Sequence, residues 1–282
     1  MEYKKILVPM DFSDCAKNAF NMALEIADRT GASIDLVCVT HLPHLHAEMV
    51  GAAAVVQPLL NDYHQLIDEQ FEELKQQTDL KNTQVEMSKY NAPLHDAIYS
   101  CALQNRSDLI VTGTKSQHDW LVNVLGSNST DMIDRSKAPV IVVPENSKIK
   151  AFRRIGVAID YSDFGDPELL DPLRTFALLY ESSLCFLNVT TKHHKLFVYD
   201  DIKVSISDYF KELKQSYHTY TDSRPLNEIL LEAIKDLDLD MLFMLPKNHS
   251  VVQRLLKTSN TKSMALHIDK PLMTIHEKTL KS

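Results

Sequence analysis

The chain has 282 residues, of which 44% are hydrophobic and 24% charged, and its formal net charge is −8. That length predicts roughly two domains, and the composition excludes a disordered or low-complexity protein. The acidic balance argues against a nucleic-acid binder, no run reaches the ~20 apolar residues of a membrane helix, and the four cysteines lack any CxxC spacing for a zinc cluster or redox pair.

The chain opens on an apolar run over 5–10 that ends in Asp11, the length of one strand and too short for a signal-peptide core. The expected location is therefore the cytoplasm. Ser13 is placed to cap a helix whose apolar positions are Ala16, Ala19, Phe20, Ala23 and Ala27, with Gly31 just beyond its end. A strand follows over 34–39. From His41 to about Gln57, Pro43, Gly51 and a run of alanines read as a long loop. Leu59, Tyr63, Leu66, Ile67, Phe71 and Leu74 then mark a longer amphipathic helix, and the acidic residues Asp68, Glu69, Glu72 and Glu73 its wet face. A strand over 84–89 precedes a third helix marked by Leu94, Ala97, Ile98 and Ala102, and two more strands run over 108–112 and 139–143. Continuous apolar runs of this length suit strands buried on both faces, and their alternation with helices predicts βαβ units in a parallel sheet.

The pattern occurs twice. Lys5-Ile6-Leu7-Val8-Pro9-Met10-Asp11-Phe12-Ser13 returns as Arg154-Ile155-Gly156-Val157-Ala158-Ile159-Asp160-Tyr161-Ser162. Asp108-Leu109-Ile110-Val111-Thr112 matches Asp240-Met241-Leu242-Phe243-Met244, and at the same offset Ala138-Pro139-Val140-Ile141-Val142-Val143 matches Lys270-Pro271-Leu272-Met273-Thr274-Ile275. The expected units are 1–145 and 150–282, joined through the polar stretch Glu145-Asn146-Ser147-Lys148. Each copy ends in an apolar strand, and two such edges could pair with each other or be covered by their own helices. Charge divides unevenly: residues 1–145 hold 11 Lys and Arg against 20 Asp and Glu, and residues 146–282 hold 19 against 18. The first copy is thus about −9 and the second about +1, so a phosphate in the first would depend on local backbone donors.

The chain has six glycines where ordinary usage would give about twenty. Two of them frame Gly113-Thr114-Lys115-Ser116, nine residues, then Gly126-Ser127-Asn128-Ser129. A strand, a loop and a helix start with glycine at both ends expose backbone N–H groups to phosphate oxygens, and the hydroxyls of Ser127 and Ser129 add donors. Asp11, past the first strand, would face the same crevice if strands one and four are neighbours, and its carboxylate suits a ribose hydroxyl. On spacing alone, two glycines that merely shape turns explain the pattern equally well.

Taken whole, the chain resembles the tandem universal stress proteins, on the opening strand to Asp11, the glycine loop and the closing Ala138–Val143 run. Nucleotide-binding members carry G-x-x-G, nine residues, then G-[ST]; here the spacing is kept and the second glycine is Ser116. The resemblance implies two doubly wound α/β domains, each a five-stranded parallel sheet in the order 3-2-1-4-5 with helices on both faces, packed as a pseudo-two-fold dimer through their last strands. It also implies an adenine nucleotide, ATP or AMP, in the first copy. Pro9, Met10 and Asp11 would line the adenosine side and the Val39 backbone would meet the base. Thr112, Gly113, Lys115, Ser116, Gly126, Ser127, Asn128 and Ser129 would surround ribose and phosphates. In the second copy both glycines are gone, replaced by Leu245 and Thr258, and Pro246 removes a donor, so no equivalent site is expected there.

The expected function is a non-catalytic, nucleotide-responsive regulator of the stress response, with slow ATP hydrolysis left open. The alternatives are a scaffold of the same fold without a working site and an adenylyl-transferring enzyme of a related fold. Further self-assembly of the chain is an open expectation. His41, His44, His46 and the pair His193-His194 read as solvated loop residues, not as a metal site, and Cys15 as a small buried hydrophobe.

Overall fold

The structure, a computed structural model, describes residues 2–40, 52–105, 107–114, 138–148, 151–159, 166–190, 199–221, 224, 226–245 and 270–275. The first half contains β1 (Lys5–Pro9), α1 (Asp14–Thr30), β2 (Ser33–Val39), α2 (Ala52–Gln77), β3 (Val85–Tyr90), α3 (Leu94–Asn105), β4 (Leu109–Thr114) and β5 (Val140–Pro144). The second half contains β6 (Arg154–Ala158), a 3-10 turn at Pro167–Leu170, α4 (Asp171–Leu179), β7 (Ser183–Thr190), α5 (Tyr199–Tyr209), β8 (Gln215–Thr221), α6 (Leu226–Asp236), β9 (Met241–Met244) and β10 (Leu272–Thr274).

The ten strands among the described residues form one sheet in the order β3-β2-β1-β4-β5-β10-β9-β6-β7-β8. Each half therefore has the order 3-2-1-4-5, and within each half every pairing is parallel. The halves meet where β5 and β10 pair antiparallel, Val142 opposite Leu272, Ile141 opposite Met273 and Val140 opposite Thr274. Ile141 thus faces its own counterpart in the repeat, which places a pseudo-two-fold axis at that pair. Two apolar edges that would each invite aggregation satisfy one another. Both β5 and β10 are buried throughout, Thr274 of β10 included.

The repeat extends to hydrogen bonds. Asp108 Oδ2 accepts from the backbone N–H of Lys4 (2.8 Å) and Lys5 (3.0 Å). Asp240 Oδ2 accepts in the same way from Arg153 (2.9 Å) and Arg154 (3.0 Å). Each carboxylate ties the start of a fourth strand to the start of a first strand, the pair that must be neighbours for the chain to reverse direction across the sheet.

Side-chain alternation assigns the two faces. Ile6, Val8, Ile34 and Leu36 join α1 in one apolar cluster, which continues into the second half through Phe152, Phe176 and Phe186. Leu7, Val37, Ile110 and Val142 point the other way, against Ala97, Ile98 and Cys101 of α3. Helix α1 starts as expected: Ser13 is extended (φ −65°, ψ 161°), its hydroxyl accepts from the Ala16 N–H, and Gly31 ends the helix in the left-handed region at φ 73°.

One expectation fails. The segment read as loop up to Gln57 is helical from Ala52, and α2 continues through Pro58. Alanines are the strongest helix formers, and here they outweigh the one backbone bond that proline removes. The outward side of α2 also differs from a plain wet face, because Leu59, Tyr63 and Leu66 are 50%, 41% and 49% exposed while Ile67 and Leu74 are buried.

Candidate functional site

A parallel open sheet leaves a crevice at the carboxyl ends of its strands where the order reverses, here between β1 and β4. A cavity of about 410 Å³ lies there. Its strand side is formed by Pro9, Met10, Cys38, Val39, Thr112 and Gly113, at the ends of β1, β2 and β4. Asp11, Phe12, Cys15 and Ala16 contribute the turn into α1, and Tyr63, Leu66, Ile67 and Gln70 of α2 with Leu94 of α3 close the remaining side. The lining is mostly apolar, with Asp11, Thr112 and Gln70 as polar exceptions.

The turn from β1 to α1 shapes the base of the cavity. The Met10 N–H continues the ladder to Val37 O (2.9 Å). Phe12 then adopts φ 60°, uncommon for a side chain of that size, and its N–H points at the Met10 sulfur (3.4 Å). Asp11 Oδ1 accepts from the Ser13 N–H (3.0 Å) and from the Ser13 hydroxyl, which locks the carboxylate beside the helix start. Both bonds fall on Oδ1. Burial pushes the Cys38 thiol up to about 12, with Asp11 adding to the rise, so the thiol stays neutral and donates to the Met87 sulfur (3.6 Å).

Gly113 has a packing reason to be glycine. A Cβ built on it would lie 2.1 Å from the Cys15 carbonyl oxygen and 2.9 Å from the Ala16 nitrogen, both backbone atoms of α1. The first turn of α1 rests directly on the end of β4. In the second half the equivalent residue is Leu245, which is buried. There the helix α4 runs over Asp171–Leu179, directly after the 3-10 turn at Pro167–Leu170. A leucine side chain in place of Gly113 forbids the same close approach.

Of the residues expected at the site, Pro9, Met10, Asp11, Val39, Thr112 and Gly113 come together around this one cavity. Lys115, Ser116, Gly126, Ser127, Asn128 and Ser129 lie outside the described residues, as do His41, His44, His46, His193 and His194. Sequence reasoning missed Phe12, Cys15, Ala16, Cys38, Tyr63, Leu66, Ile67, Gln70 and Leu94 as cavity residues. For Tyr63, Leu66 and Leu94 a signal existed, in apolar positions too numerous for one buried face. For Cys38 and Gln70 there was none. Among the described residues no group of three or more His, Cys, Asp or Glu side chains could hold a metal ion.

Fold and cavity define a class: tandem doubly wound α/β domains sharing one sheet, with a ligand-sized cavity at the switch point of the first. Comparison with known proteins narrows it. Residues 2–144 match the model of the universal stress protein family. A universal stress protein of Methanocaldococcus jannaschii is 26% identical over 147 residues, 52% of this chain and 85% of that protein. A universal stress protein structure from Archaeoglobus fulgidus covers 98% of this chain and 99% of its own at 16% identity, with a TM-score of 0.73. One from Pseudomonas aeruginosa, a putative universal stress protein, covers 97% and 93% at 13% identity and a TM-score of 0.57. The chain belongs to the universal stress protein family. The A. fulgidus likeness extends the fold over both halves.

Proposed function

We propose that the first half binds an adenine nucleotide, ATP or AMP, without catalysis, and that the protein acts as a nucleotide-responsive regulator in the stress response. The observation that carries this reading is the cavity at the β1/β4 switch point. About 410 Å³ is within the range of small-ligand sites, and six residues expected from sequence meet there. Its apolar walls suit a base, and the second oxygen of Asp11 is an acceptor for a ribose hydroxyl. The phosphates would fall to the segment from Lys115 to Ser129. The units 1–145 and 150–282 are taken as a binding half and a partner half that completes the pseudo-symmetric pair. Any further self-assembly belongs to the same proposal.

A second reading, an interaction protein without a working site, is favoured by the packing of Gly113, which explains that glycine without a ligand, and by Ser116 in place of the second motif glycine. Calorimetric titration of ATP and AMP into the intact chain separates the two. A Gly113 variant is a poor control, since any side chain there displaces α1; Asp11→Ala is better. Binding of one nucleotide per chain, weakened about tenfold in Asp11→Ala, is expected on loss of the ribose contact, about 1.4 kcal/mol. No heat and no thermal shift at millimolar nucleotide would leave the interaction protein.

A further inference from the structure

The segment joining the two halves is held by the same two elements that frame the cavity. Asn18, one turn beyond Cys15 and Ala16 on α1, directs its side-chain nitrogen at three carbonyl oxygens: Pro144 (2.9 Å), Ser147 (3.1 Å) and Glu145 (3.3 Å). From the other side, the Glu145 N–H donates to the carbonyl of Thr114 (2.9 Å), the residue after Gly113 on β4. The joint closes on itself through the Ser147 N–H to Pro144 O (2.9 Å), and Ser147 is buried.

A carboxamide nitrogen carries two protons, and here three acceptors compete for them. Two protons can be shared among three carbonyls within 3.3 Å in more than one pairing, and a small displacement of α1 along the joint would change which are held. Such a displacement is transmitted without slack. Gly113 meets the Cys15 carbonyl in backbone contact, so the start of α1 cannot move without the end of β4. The far end of α1 reaches the second half, with the Arg29 guanidinium 4.6 Å from the ring centroid of Tyr180, itself packed on Phe152 and Phe176.

We propose that α1 couples occupancy of the cavity to the joint between the halves, with Asn18 as the clamp that responds. A ligand touching Cys15, Ala16 or Gly113 sets the seat of α1 on β4, and that seat selects which carbonyls Asn18 holds. Asn18 does not line the cavity, so its role is separable from binding. The inference rests on nucleotide binding by the first half.

The test is hydrogen exchange of the intact protein with and without millimolar ATP, with heat of binding measured on the same preparation. Exchange of the amides of Glu145 and Ser147 should change by about fivefold or more on binding, the lower end of ordinary coupling between sites. In Asn18→Asp, which cannot donate to the carbonyls, ATP should still bind with heat while the response at 144–148 is lost. Heat of binding with unchanged exchange at 144–148 in the unaltered protein overturns the coupling alone. A response that persists in Asn18→Asp overturns the part given to the clamp. Absence of heat overturns both this inference and the nucleotide reading.

Discussion

At the scale of single residues, Gly113 in β4 and Gly156 in β6 behave differently. A Cβ on Gly113 would collide with backbone, whereas one on Gly156 would meet the Leu239 side chain, whose Cδ1 lies 2.5 Å away and can rotate aside. Backbone cannot give locally, so Gly113→Ala should cost about 1–3 kcal/mol, the range for overpacking, and Gly156→Ala clearly less. Urea unfolding of the two variants measures the difference, and equal costs would disprove the contact between α1 and β4. Among buried polar groups, Asp35 in the middle of β2 accepts from the Ser88 hydroxyl (2.8 Å) and the Cys101 thiol (3.2 Å). Such partners allow a carboxylate side chain inside an apolar sheet, and its sequence context of Ile34 and Leu36 already marks the position as interior.

Among the elements, β1 and β4 are the pair on which the site depends, and a carboxylate fastens them in both halves. Because Asp108 and Asp240 each accept two backbone N–H bonds in partly exposed positions, Asp108→Ala and Asp240→Ala should lower stability by similar amounts, about 1–2 kcal/mol. Denaturant midpoints of the two variants check the equivalence. These aspartates stood in the repeat as quoted from sequence, but nothing local distinguished a strand clamp from a solvated turn residue. Helix α1 was legible from Ser13 to Gly31 because capping is written in adjacent residues. The start of α2 was not. Gly51, Pro58 and three alanines are compatible with a loop or a helix, and the helix propensity of the alanines carries α2 back to Ala52.

For the whole molecule, the shared sheet and the common core make the two halves one unit of stability. Tyr3 of the first half donates its hydroxyl to Pro172 O in the second (2.8 Å), and burial raises its pKa far above the ordinary 10.0. Burial likewise raises Tyr180, and moves Tyr90 to about 12 and Cys38 to about 12 from ordinary values of 10.0 and 9.0. In each case the folded protein keeps a proton that the unfolded chain gives up. The stability these groups contribute is intact below about pH 8, falls once the pH passes the unfolded values, and is lost above the folded ones. The urea midpoint should therefore drop steadily between pH 8.5 and 11, and Tyr3→Phe should flatten part of that fall. A midpoint independent of pH in that window would contradict the burial of these groups.

The strand sequence, the repeat, the equal offset of the last two strand pairs and the acidic first half were all determined by the chain alone, because each depends on neighbours in sequence and on periodicity. So was the loss of both motif glycines in the second half. Which side chains gather around the cavity was decided by tertiary structure, since Tyr63, Leu66 and Gln70 come to it from α2, a helix far from β1 and β4 in sequence. The reason Gly113 must lack a side chain was decided there too. Its neighbour is the carbonyl of Cys15, about a hundred residues away along the chain, and only the packing of a helix on a strand brings the two together.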